Sequence, residues 1–145
     1  MSPRKLPDAP PRAALPTLFL DRSLGRIKVP ALLRAHGLEL VTLAEHYGIP
    51  ADEDVTDERW LADAGAEGRA VLMKDDRIRY RQVERAALVT SAVRAFCLTS
   101  GNLKAAEMAQ RFIDNTDRMV AACAAPGPFL YAVQARGIRA IDLDA

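Results

Sequence analysis

Two short runs, Thr17 to Leu20 and Ala70 to Met73, each lead straight into acid: the first meets Asp21 at once, the second meets Asp75 after Lys74. Uniformly apolar runs of this length belong to strands buried on both faces, as in a parallel sheet covered by helices on either side. In open α/β sheets, ligands bind beyond the carboxyl ends of the strands, so acids standing there are placed for chemistry. The pattern restricts the chain to an α/β architecture and points to Asp21 and Asp75 as its first functional candidates.

The remaining segments fill in that architecture. After Ser23 the positions Leu24, Ile27, Ala31 and Ala35 follow helical spacing, with Pro30 as a kink or restart and Gly37 as the C-terminal cap. Leu38 to Thr42 reads as a second strand, and residues 44–56 as a loop or broken turn. Thr56 caps a helix from Asp57 to Glu67 whose Trp60, Leu61 and Ala64 share a face, with Gly68 ending it. A short helix near Val83 to Val89 precedes a strand over Val93 to Leu98. Ser100-Gly101-Asn102 then caps one long helix, Leu103 to Cys123, with a core stripe through Ala109, Phe112 and Met119. Phe129, Tyr131 and Val133 alternate up to Arg136-Gly137, which suggests a C-terminal hairpin over 129–142. About four strands alternating with helices make a mainly parallel sheet with helices on both faces.

A chain of 145 residues has room for one sizeable core, so residues 17–145 are expected to form a single domain. The first sixteen residues hold five of the nine prolines and no continuous apolar stretch, the composition of a disordered lead rather than a secretory signal. No apolar run is long enough to span a bilayer, and a cytoplasmic, membrane-free protein is the expectation. Cys97 and Cys123 sit in apolar company without zinc-type spacing. The formal charge of +1 is uninformative, but residues 69–94 carry seven cations against three anions. This basic strip lies beside Asp75.

A third carboxylate, Asp57, opens the helix that precedes the strand ending at Asp75, and a right-handed crossover can bring it to the same sheet edge. Three converging carboxylates need a counter-charge, which a hard cation such as Mg²⁺ or Mn²⁺ supplies. Such an ion activates water for attack on a phosphodiester. Each acid also has an ordinary explanation: Asp57 answers a helix dipole, Asp75 and Asp76 suit a turn, and Arg22 could neutralise Asp21.

Taken together, Phe19-Leu20-Asp21-Arg22-Ser23-Leu24-Gly25, Val29 to Arg34, Thr56 to Leu61 and Val71 to Tyr80 resemble the PIN-like domain family of VapC-type toxins. Ser100 to Leu103 and Pro126 to Phe129 fit it too, so the resemblance spans Leu18 to Val133. It implies a three-layer α/β/α fold and a Mg²⁺- or Mn²⁺-dependent ribonuclease toxin of a type II toxin–antitoxin system. It also implies a cognate antitoxin that blocks the site and assembly as a homodimer or a toxin–antitoxin hetero-oligomer. Carried over, the family's acids fall on Asp21, Asp57 and Asp75, as catalytic residues and metal ligands. Glu45 is the candidate fourth ligand, with Asn102 as a polar alternative. Met73 departs from the threonine common in the family.

In that light Arg22, Lys74, Arg77, Arg79 and Arg81 are expected to hold RNA phosphates, with bidentate guanidinium contacts over the metal. Tyr80 is a possible stacking platform. From another class, the chain could be a non-catalytic PIN-like module that binds RNA or protein, its acids serving only local structure. A dehalogenase-like phosphatase needs a second Asp where Ser23 stands, and a receiver domain needs an acidic pair that is missing.

Overall fold

The computed structural model describes residues 15–143, so the lead assigned to residues 1–16 lies, but for Leu15 and Pro16, outside the described residues. Six strands form one sheet: β1 (Leu18–Leu20), β2 (Leu40–Thr42), β3 (Ala70–Lys74), β4 (Arg94–Leu98), β5 (Phe129–Gln134) and β6 (Gly137–Ala140). Their order is β2-β1-β3-β4-β5-β6, parallel throughout except for β6, which runs antiparallel to β5. The C-terminal hairpin thus extends the main sheet, taking it beyond the four strands expected.

The helices are α1 (Lys28–Ala35), α2 (Leu43–Tyr47), α3 (Asp57–Ala66), α4 (Gln82–Thr90), α5 (Ala105–Asp114) and α6 (Thr116–Ala122). Alternation along β1 divides them. Leu18 and Leu20 pack with Val29 and Leu33 of α1, Met108 and Phe112 of α5, and Met119 of α6. Phe19, between them, joins Leu43 of α2, Trp60 and Leu61 of α3, and Leu88 of α4 on the opposite face. The result is the three-layer α/β/α arrangement, with two apolar cores separated by the sheet.

Three elements depart from the sequence reading. The helix expected from Ser23 is two elements: a 3-10 turn Arg22–Leu24 closed by Gly25 at φ +83°, then α1. Of the expected stripe only Leu24 is buried; Ile27 is 77% exposed, and α1 instead buries Val29, Pro30 and Leu33. Pro30 causes no break because it occupies the first turn, where no intrahelical amide donor is needed. Within the expected loop, α2 starts at a capping box. Thr42 Oγ1 accepts from the Glu45 amide at 3.1 Å and Glu45 Oε1 from the Thr42 amide at 3.0 Å.

The long C-terminal helix breaks at Asn115, which is fully buried. Its side-chain nitrogen donates to Arg111 O and to Gln134 O, both at 2.8 Å, which ties the break to β5. The helix also starts later than expected, at Ala105, where Glu107 accepts from the Lys104 amide at 2.9 Å, so Ser100-Gly101-Asn102 does not cap it.

Candidate active site

The chain runs from β1 outward to β2 and then returns across β1 to β3, so β1 and β3 flank the point where the winding reverses. Crossovers leave such neighbours on opposite faces of the sheet, which opens a crevice beyond their carboxyl ends. Asp21 and Asp75 stand at those two ends. Their backbones continue the sheet ladder: the Asp21 amide donates to Leu72 O at 3.0 Å and the Asp75 amide to Leu98 O at 2.9 Å.

A cleft of about 490 Å³ opens here, lined by Asp21, Asp57 and Asp75 together with Asp76, Glu84, Arg22, Lys74 and Arg81. Asp57 arrives as expected, at the start of α3, where Thr56 Oγ1 accepts from the Arg59 amide at 3.2 Å. Trp60, one turn on, is core and also donates its indole N–H to Asp57 Oδ1 at 2.9 Å, which aims that carboxylate.

Asp21 is half-buried where it leaves β1. Burial pushes its carboxyl above the ordinary aspartate value, and the negative charge of Asp57 pushes the same way. Ser23 opposes this. Its hydroxyl donates to Asp21 Oδ2 at 2.6 Å, its amide donates to the same oxygen at 3.3 Å, and its oxygen accepts the Lys74 amide at 3.0 Å. One hydroxyl thus joins the turn after β1 to the end of β3. Behind Asp75, burial lifts the Cys97 thiol to about 12, opposed by its hydrogen bond to Asp75 O and reinforced by the charges of Asp75 and Asp21. It is an inert core thiol, not a nucleophile.

The expected basic residues are differently employed. Arg22 directs its guanidinium at main-chain oxygens, 2.6 Å from Val55 O and 3.2 Å from Asp52 O, so it ties down the loop before α3. Arg81 is the arginine on Asp75, with Nε 2.6 Å from Oδ2. Arg77 meets Asp75 through its backbone amide at 2.9 Å, while its guanidinium lies 6.0 Å from the Tyr80 ring. Lys74 lines the cleft, and Arg79 lines a neighbouring groove. Glu45 stays apart. Its carboxylate is held by Arg34 at 2.6 Å and by the α2 cap, which lowers its pKa, and it does not line the cleft. Asn102 does not line it either; its neighbour Gly101 does, and a Cβ there would stand 3.2 Å from Asp76 Oδ2.

Sequence reasoning missed the working roles of Ser23 and Trp60 and the place of Glu84 on the cleft wall. Only Ser23 left a signal, a hydroxyl two residues beyond a strand-end Asp, the spacing of a side-chain turn.

The family model described as "PIN like domain" matches residues 16–100, which hold the three acids and the whole basic strip. The chain belongs to the PIN-like domain family. It is 38% identical over 127 residues, 88% of this chain and 92% of the relative, to a protein of Mycobacterium tuberculosis (strain ATCC 25618 / H37Rv) named "Putative ribonuclease VapC45". No solved structure matches the chain.

Among the described residues, no three His, Cys, Asp or Glu side chains are gathered closely enough to hold an ion between them. The donor set of this PIN-like domain nevertheless suits a divalent cation. Asp21 and Asp57 repel one another in a desolvated cleft, and neither has a salt bridge among the described residues. Both offer hard carboxylate oxygens. Asp75 presents a third carboxylate to the same cleft, ion-paired to Arg81.

Proposed function

We propose that this protein is a cytoplasmic metal-dependent endoribonuclease, the toxin of a type II toxin–antitoxin pair, with RNA as substrate and a cognate antitoxin that covers the cleft. The observation that carries the reading is the pair Asp21 and Asp57, two acids with no salt bridge among the described residues, sharing the cleft with Asp75. The similarity to a protein named a ribonuclease supports it.

Asp21, Asp57 and Asp75 would hold Mg²⁺ or Mn²⁺. When bound, the ion supplies charge stabilisation at the scissile phosphate and lowers the pKa of water. The chain's own residues prepare the site. Ser23 favours the ionised form of Asp21 against its burial, and Trp60 fixes the orientation of Asp57. Lys74 stands on the cleft wall, where a cation meets the phosphodiester. Arg81, released from Asp75, is placed to take up a phosphate oxygen through its fork of donors.

The test combines calorimetric Mn²⁺ titration with cleavage of single-stranded and structured RNA. The parent is expected to bind the ion and cut RNA. Asp21→Asn and Asp75→Asn are expected to lose both while still unfolding in one cooperative transition. The alternative, a non-catalytic PIN-like binding module, draws on the Arg81–Asp75 ion pair, which neutralises one acid without metal. A parent that binds RNA but neither metal nor cleaves would decide for the module.

A further inference from the structure

Beyond the cleft lies a second feature that the acids do not explain. Arg85, on α4, is only 6% exposed, yet its Nε has no hydrogen-bond acceptor among the described residues. Its side-chain bond among the described residues is a long one, 3.5 Å from NH1 to Asp142 O. A buried guanidinium left so weakly partnered is costly unless an anion arrives to meet it. Arg79 and Arg139 line an open cavity of about 330 Å³ with it, together with Asp142. Three arginines face one carboxylate-bearing residue there, and Arg79 and Arg139 are both exposed.

The cavity is connected to the candidate active site. A groove along the start of α4, lined by Arg79, Tyr80, Arg81 and Arg85, shares Arg81 and Glu84 with the acid cleft. It shares Arg79 and Arg85 with the arginine cavity. Tyr80, 78% exposed, stands along this route. A cationic path with an exposed aromatic matches a single nucleic-acid strand, whose phosphates recur along it and whose bases stack on π-faces.

We propose that Arg79, Arg85 and Arg139 form a phosphate subsite that holds a nucleotide of the RNA strand flanking the one at the acid cleft, with the strand passing Tyr80 on the way. The proposal rests on the ribonuclease reading. It adds the β5–β6 hairpin, through Arg139, to the substrate-binding surface. Arg85 is the buried anchor and the other two are the exposed clamp.

The experiment measures binding of fluorescently labelled oligoribonucleotides by anisotropy in EDTA, over a series of lengths and salt concentrations. Parent and Arg139→Ala are compared, with Arg79→Ala as a second variant; both changes are at exposed positions and leave the cores intact. For oligonucleotides long enough to reach the hairpin, Arg139→Ala is expected to weaken binding about ten-fold. The slope of log affinity against log salt is expected to fall by about 0.7, one single-strand phosphate contact. The shortest oligonucleotides are expected to bind both proteins alike.

A loss that is equal at every length overturns the subsite, and so does an Arg139→Ala protein that matches the parent at every length and salt. Competition by inorganic phosphate at constant ionic strength, with RNA binding indifferent to Arg139, would make the cavity a free-anion site and overturn the proposal as well. The two readings fail separately. A protein that cuts RNA but shows no Arg139 dependence loses only the subsite. One that cuts nothing, yet shows the length-dependent loss, keeps the subsite and loses the ribonuclease assignment.

Discussion

Removing a single hydroxyl, by Ser23→Ala, tests how the two strand-end acids are held together. Ser23 Oγ donates to Asp21 Oδ2 at 2.6 Å and accepts the Lys74 amide at 3.0 Å, so the change deletes one bond to a carboxylate and leaves one main-chain N–H without its acceptor. A hydrogen bond to a charged group contributes roughly 1.5–3 kcal/mol, and an unsatisfied buried donor costs a similar amount. Water can enter the cleft and recover part of this, so the expected loss is about 2–4 kcal/mol. For a domain of this size that lowers the melting temperature by roughly 6–15 °C. The hydroxyl also holds the Asp21 pKa down against burial and against Asp57. Without it the Asp21 carboxyl rises further, and the acid limb of RNA cleavage moves to higher pH. Urea unfolding gives the first quantity and a pH–rate profile the second. A stability change within about 0.5 kcal/mol of the parent, the range of an ordinary surface substitution, together with an unmoved acid limb, would refute the coupling.

Gly65→Ala, which helix propensity alone would favour by about 1 kcal/mol, is expected to destabilise by about 1–3 kcal/mol in chemical denaturation. A Cβ at Gly65 would stand 2.2 Å from Ser91 O, main chain at the end of α4. Asn115→Leu leaves Arg111 O and Gln134 O without their 2.8 Å donor and is expected to cost about 2–4 kcal/mol, with the amides of β5 losing hydrogen-exchange protection first. Asp21→Asn is expected to change how stability depends on pH. Because the folded Asp21 pKa is raised, the native state holds that proton more tightly than the unfolded chain. Its stabilising contribution is full below the ordinary value of 3.8 and is lost as pH rises through the folded value. The metal-free variant should therefore gain on the parent between acid and neutral pH in paired urea titrations, and a constant difference across that range would count against the assignment.

The parts of the fold that could be read from the chain are those where one residue decides a local outcome. Thr56 and Gly68 bracket α3 by their own cap chemistry, and uniformly apolar β1 and β3 announce burial on both faces. Asp21 and Asp75 were legible for the same reason, since an acid at the end of such a strand has only the sheet edge to occupy. The break at Asn115 was hidden because Phe112 and Met119 keep a helical stripe running across it, and its cause is a carbonyl on β5, nineteen residues away. The Leu24–Ile27 stripe failed because helical spacing survives when a 3-10 turn and a helix follow one another. Glu45 was placed at the site on its position after β2. Its spacing from Thr42 already spelled a capping box, and local chemistry claimed it. The roles of Trp60 and Arg81 depend on which partners the fold delivers, so no local pattern reveals them, whereas Ser23 leaves a local sign in its spacing from Asp21.

The ladder that carries both acids also makes their placement depend on register. Asp21 hangs from Leu72 and Asp75 from Leu98 through main-chain bonds, and Ser23 meets Lys74 only when β1 and β3 pair Leu18 with Ala70. A slip of one residue turns every side chain of β3 to the opposite face. It would strand Leu72 against the wrong core and break the Ser23 bridge in the same stroke. Mispaired or half-assembled chains therefore lack the cleft altogether. The site is therefore as exacting about strand pairing as the two cores are: the same register that buries Leu72 is the one that brings Asp21 and Asp75 to a common cleft.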